Sequence, residues 1–230
     1  VTPPELIAAL DVPGLAEEEE ALRRLKGATR WVKVGLQLYT AAGPRAVAAA
    51  REAGFSVFLD LKLHDIPQTV ALAVAEAAKL GASSLSVHLS GGSAMLRAAA
   101  AVPSRPKLWG VSVLTSMADA DLSEAFPGAS VSASVPRLAK LGLSAGVDGI
   151  ICSSADAETV KKAVGGGVPL ITPGIRPAGA PVGDQKRVAT PAEAARLGIA
   201  FIVVGRPILQ AKDPRAAAES ILAEMKEARA

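Results

Sequence analysis

Short apolar runs alternate with alanine-rich helical stretches along the whole chain, and no other feature constrains the fold as strongly. The strand candidates are Leu6–Asp11, Trp31–Gly35, Ser56–Lys62, Ser84–His88, Leu108–Leu114, Asp148–Cys152, Pro169–Thr172 and Ala200–Gly205. The helical candidates between them are Glu17–Lys26, Ala41–Ala53, Val70–Leu80, Ser93–Val102, Val131–Leu143, Ala157–Val164, Pro191–Leu197 and Pro214–Ala228. Their apolar residues mostly recur every three to four positions, which gives each helix one core-facing side. Strands alternating with helices pair in parallel through right-handed crossovers. Repeated eight times, the unit predicts a closed (β/α)8 TIM barrel. An open doubly wound sheet more often carries a glycine-rich fingerprint after its first strand. Here that position reads Leu10, Asp11, Val12, Pro13, Gly14. No linker or composition break appears, so one barrel domain over residues 1–230 is expected.

Of 230 residues, 50% are hydrophobic but only 3% aromatic, so the core is expected to be built from Ala, Val, Leu and Ile. The net charge of +3 is mild, and no Lys/Arg cluster interleaved with aromatics is present, which argues against nucleic acid as a partner. The slight positive bias suits a small anionic substrate. Cys152 is the sole cysteine, which rules out an internal disulfide and suits a reducing compartment. Without a basic-then-apolar leader or an apolar run of membrane-spanning length, a soluble cytoplasmic protein with no membrane partner is expected.

The chemistry-bearing residues gather at the C-terminal ends of the strand candidates. The densest stretch is Asp60-Leu61-Lys62-Leu63-His64-Asp65-Ile66-Pro67-Gln68-Thr69, which follows the apolar run from Phe55 to Leu59. Residues two apart in a strand share a face, so Asp60 and Lys62 should lie side by side, roughly 6–7 Å apart at Cα. Opposite charges at the mouth of an apolar strand are expensive as scaffolding. Asp11, Lys33, His88, Thr115, Ser116, Arg176, Gly205 and Arg206 sit at or just beyond other strand ends. On a barrel all of these converge on the face where active sites are built. Charges also collect wherever strands meet solvent, so no single residue among them is decisive.

A phosphate signal is separate from this cluster. Gly205-Arg206-Pro207 follows the eighth strand candidate, and a Gly/Pro-rich loop with Arg176 follows the seventh, matching the usual position of a barrel phosphate site. Glycine exposes backbone N–H groups, and an arginine fork suits a phosphate dianion. The longest irregular stretches are Thr115–Ser130 and Pro173–Thr190, and loops of that length in a compact domain are usually functional or disordered.

Other features have plainer readings. The two histidines, His64 and His88, lack metal-ligand spacing and no Cys cluster exists, so no metal is expected. His64 can pack or face solvent, and His88 can plug the end of the fourth strand. Ser90-Gly91-Gly92-Ser93 reads as a helix N-terminal turn, and Cys152 as a small core residue. Glu17–Glu20 reads as a solvated first helical turn favoured by the helix dipole.

Taken together, these residues resemble the orotidine 5′-monophosphate decarboxylase family. The resemblance spans nearly the whole chain. It is carried by Ala9-Leu10-Asp11, Val32-Lys33-Val34-Gly35, the Asp60–Thr69 motif, Val113-Leu114-Thr115-Ser116, Thr172-Pro173-Gly174-Ile175-Arg176-Pro177, Gly183-Asp184-Gln185 and Val204-Gly205-Arg206-Pro207. It implies a metal-free and cofactor-free homodimer with shared active sites that converts orotidine 5′-monophosphate to UMP and CO2. It further implies that Lys33, Asp60, Lys62 and Asp65 form the catalytic charge network, with Asp65 and Thr69 serving the partner subunit's pocket. Asp11 and Lys33 would lie near the ribose, Thr115 by the pyrimidine, and Arg176, Gln185, Gly205 and Arg206 around the phosphate. The Pro173–Thr190 loop would close as a lid. A metal-dependent sugar-phosphate lyase shares the Asp-x-Lys-x-x-Asp pattern but needs acidic ligands on strands two and three, where strand two offers Lys33. A silent UMP-binding protein would not need Lys62.

Overall fold

The structure is a computed structural model and describes residues 3–177 and 189–229. Eight parallel strands close into a barrel in sequential order. They are β1 (Glu5–Ala9), β2 (Trp31–Gly35), β3 (Ser56–Leu63), β4 (Ser84–His88), β5 (Lys107–Val111), β6 (Gly149–Ile151), β7 (Leu170–Pro173) and β8 (Phe201–Val204). Closure runs through β8 against β1, with Glu5 opposite Phe201 and Ala8 opposite Val204. Every strand therefore points the same way, and all the C-terminal ends open on one rim.

The helices behave as local chemistry requires. Residues 191–196 form a helix opened by a reciprocal cap, in which Thr190 Oγ1 accepts from the Glu193 N–H and the Glu193 carboxylate accepts from the Thr190 N–H. Helix 214–227 starts with Pro214 behind Asp213, whose carboxylate accepts from the N–H groups of Arg215 and Ala216.

Several expectations need correction. The stretch expected as one helix over 41–53 is two helices, 36–42 and 44–52, because Gly43 turns left-handed at φ 59° and Pro44 restarts the helix. The loop expected over 115–130 contains a helix at 119–125, and the Asp121 carboxylate accepts from the Ala118 N–H at its start. A short helix, 206–209, also follows β8. Glu18 does not lie on a solvated turn. It is fully buried in helix 15–25, on the side that carries Ala21, Leu22 and Leu25. Its carboxylate oxygens have no hydrogen-bond partner among the described residues. Burial, with Glu19 adding like charge, pushes its pKa up to about 7.

The core has two layers. Between strands and helices it is aliphatic, as expected. Inside the barrel it is mixed, with four aromatic rings among aliphatics. Both tryptophans, Phe58 and Phe201 meet there with Ile7, Val111, Ile151, Ile171 and Val203. Ring centroids lie 4.6 Å apart for Phe58–Trp109, 5.0 Å for Trp109–Phe201 and 5.4 Å for Trp31–Phe201. Large flat side chains share the lumen with these aliphatics and fill it. The Trp31 indole N–H is satisfied by the Glu5 carboxylate at 2.9 Å. This plug fills the barrel beneath its C-terminal mouth.

Candidate active site

At that mouth lies a cavity of about 570 Å³, within the range of small-molecule sites. Phe58, at the top of the aromatic plug, lines its floor. Around it stand Asp11 after β1, Lys33 on β2, Asp60 and Lys62 on β3, and Thr115 and Ser116 after β5. Arg176 follows β7, and Gly205 and Arg206 follow β8. Residues far apart in sequence share one site because parallel strands deliver their ends to the same rim.

The electrostatic centre is Asp60, which is only 8% exposed. Lys62 Nζ donates to both of its oxygens, at 2.9 and 2.8 Å. Lys33 Nζ approaches Asp60 Oδ2 to 3.8 Å and lies 2.9 Å from Asp11 Oδ1. The charges thus alternate Asp11, Lys33, Asp60, Lys62. Burial by itself would raise the Asp60 pKa, but Lys33, Lys62 and the hydrogen bonds from Lys62 and Ser86 outweigh it. Asp60 is held below the ordinary carboxylate range and stays ionised between its two cations.

The Asp60–Lys62 pairing was expected from simple strand alternation, and the route is different. Strand β3 keeps register with β4 at Leu59–Leu85, then resumes only at Leu63–Val87. Four steps on β3 thus face two on β4, and Lys62 takes a left-handed backbone at φ 51°. A non-glycine residue there is strained, and such strain collects at working sites.

Two neighbours had no site role in the sequence reading. Gly35 leaves space that a Cβ would fill, since that atom would lie 2.5 Å from Lys33 Nζ and 3.2 Å from Asp11 Oδ1. Ser86, buried in β4, donates to Asp60 Oδ1 at 2.8 Å. Its only sequence signal is its place two residues before His88 in a strand, on the same face.

Asp65 and Thr69 do not join the cavity. Both are exposed at the start of helix 67–79, and the Asp65 carboxylate accepts from the Ile66 N–H at 2.6 Å. Arg176 is buried, its guanidinium donating to the Ile175 carbonyl at 2.9 Å, and its backbone N–H donates to the Ala189 carbonyl. Gln185 and most of the loop expected to act as a lid lie outside the described residues. The His64 and His88 rings lie 5.5 Å apart, tilted by 37°. Burial, then the proximity of His64 and Lys62, lowers the His88 pKa. Among the described residues, no group of three or more His, Cys, Asp or Glu side chains is placed to hold a metal ion.

Comparison with known proteins gives a consistent picture. Residues 4–221 match the model of the family described as Orotidine 5'-phosphate decarboxylase / HUMPS. An orotidine 5'-phosphate decarboxylase from Opitutus terrae is 48% identical over 226 residues, covering 96% of this chain and 98% of the relative. Another, from Anaeromyxobacter sp. (strain K), is 50% identical over 220 residues, covering 95% and 96%. The crystal structure of orotidine 5'-phosphate decarboxylase from Lactobacillus acidophilus superposes with a TM-score of 0.85 at 37% identity, covering 97% of this chain and 99% of that one.

Proposed function

The chain belongs to the orotidine 5'-phosphate decarboxylase / HUMPS family, and from that premise we propose that it decarboxylates orotidine 5′-monophosphate to UMP. The observation that carries this reading is a buried, ionised Asp60 held between Lys33 and Lys62, in a cavity that also presents Arg176, Gly205 and Arg206. Heterolysis of the bond from C6 to the carboxylate releases CO2 and leaves an electron pair on a ring carbon with little resonance relief. Lys62, the cation nearest Asp60, stabilises that charge as it develops and transfers a proton from Nζ to C6. Water then reprotonates the amine, so the sum is substrate plus one proton giving UMP plus CO2.

Asp60 keeps Lys62 charged and aimed, and Lys33 with Asp11 holds the ribose. Thr115 faces the pyrimidine. The phosphate binds at Arg176, Gly205 and Arg206, with Gln185 from the adjoining loop. Binding energy gathered at the phosphate, remote from C6, drives loop closure and the exclusion of water.

No metal or cofactor is required in this scheme. A metal-dependent lyase would need a carboxylate where β2 presents Lys33, an ammonium already engaged with Asp11 and Asp60. The exposed segment with Asp65 and Thr69 carries Ile66 at 66% and Leu72 at 61% exposure, which suits burial against a second copy. In such a homodimer Asp65 and Thr69 complete the partner's site. The reading makes the whole chain one catalytic domain, placed in cytoplasmic pyrimidine biosynthesis.

The test is the loss of pyrimidine absorbance after adding orotidine 5′-monophosphate, with and without a chelator. Equal, complete conversion in both is expected. No conversion overturns the activity, and conversion abolished by the chelator overturns the metal-free scheme.

A further inference from the structure

Lys62 owes its position to more than Asp60. Strand β3 leaves its register with β4 between Leu59 and Leu63, and the Lys62 N–H lies in that break. It donates to Ser86 Oγ at 2.8 Å. The same oxygen gives its hydrogen to Asp60 Oδ1, also at 2.8 Å. A hydroxyl has one proton and can accept through its lone pairs, and here the proton and one acceptor position are committed to neighbouring parts of one charge pair. Ser86 has 0% exposure, so in the folded protein its hydroxyl is shielded from bulk solvent.

We propose that Ser86 is a positioning residue for the decarboxylation, joining the strained backbone of Lys62 to the carboxylate that holds its ammonium. The proposal rests on the decarboxylase reading and deepens it. A left-handed non-glycine residue persists only when its surroundings over-determine it. Of the bonds described, the Ser86 hydroxyl alone ties the main chain of Lys62 to its ion-pair partner. Without it, the bulge can relax toward ordinary strand geometry and swing Nζ away from the place where C6 must sit. Misplacement of that kind lowers the chemical step more than binding, because the ribose and phosphate contacts lie on β1, β2 and the loops after β7 and β8.

The experiment compares Ser86→Ala with wild type for turnover, UMP affinity and pH profile. The expected loss in kcat is about 10–100-fold, the change that removing a hydrogen bond to a charged group carries, with UMP affinity nearly unchanged. The acid limb of kcat should also move to higher pH, since Asp60 loses a donor that favours its ionised form. Ser86→Thr, which restores the hydroxyl, should recover most of the rate. If Ser86→Ala does not fold, Ser86→Cys keeps the size and replaces the hydroxyl with a weak donor, and the same readouts apply. Wild-type kcat in the folded variant, or equal losses in kcat and UMP affinity, overturns the proposal. A wild-type protein inert toward orotidine 5′-monophosphate overturns the decarboxylase reading instead. In that event a crystal structure of the variant still decides the positioning role: it stands if Lys62 leaves the left-handed region and falls if φ and the Asp60 contact are unchanged.

Discussion

The two halves of the Asp60–Thr69 motif occupy opposite environments. Asp60 is buried and ionised, with two ammonium groups and a hydroxyl around it. Asp65, five residues on, is exposed at a helix start and accepts from the next residue's N–H. The difference teaches that proximity in sequence does not make one site. The first half is organised by its own barrel, whereas the second lies outside the cavity its own chain forms. A partner subunit would give it an object.

The sharpest way to break this comparison is Lys62→Ala. Decarboxylation should become undetectable while UMP binding remains measurable, and near-wild-type turnover would remove Lys62 from the chemistry. Asp65→Ala should also be inactive, but for a site on the other subunit. Mixing the two inactive proteins should then restore up to about a quarter of wild-type activity, because random pairing in a two-fold dimer rebuilds one intact site in each hybrid. No recovery despite demonstrated subunit exchange would place both halves in one pocket.

Arg176→Ala probes the far side of the cavity. UMP affinity should fall about 10–100-fold, the range for a lost charged hydrogen bond, with a much smaller change for uridine. Equal losses for the two ligands would contradict a phosphate contact.

The smallest expected effect concerns Glu18, a second buried carboxyl that separates burial from partnering. Its pKa in the folded protein, about 7, lies above the ordinary 4.5, so the native state binds an extra proton between those values. Its contribution to stability is therefore full below 4.5 and is lost as pH rises through about 7. Glu18→Gln should raise stability by about 1–3 kcal/mol at alkaline pH and change it little near pH 4.5, as read by denaturant unfolding. A pH-independent difference would show that Glu18 is not buried as a lone acid. Asp60 shifts the other way. Its pairing stabilises the fold above the ordinary carboxylate pKa and is lost as pH falls through its depressed value.

Much of this architecture is legible in the chain. The strand–helix rhythm located all eight strands to within a few residues at their ends, since period and β-branched content are local properties. The break at Gly43 and the helix at 119–125 were missed, because the one needs a left-handed glycine inside an alanine-rich run and the other has a weak apolar stripe. Low aromatic content concealed the lumen: a few rings count for little in composition and for much when they converge.

The acids, lysines and arginines of the candidate site could be named from spacing at strand ends, because parallel strands must deliver those ends to one rim. Their alternation as Asp11, Lys33, Asp60, Lys62 is different in kind. It depends on the register shift in β3, on the left-handed turn at Lys62, on the space above Gly35 and on the hydroxyl of Ser86. Spacing alone thus brought Asp11, Lys33, Asp60, Lys62, Arg176 and Arg206 to the mouth of the barrel. Which charges touch was settled by the packing of strands remote in the chain, because side-chain contact depends on distances of an ångström or less.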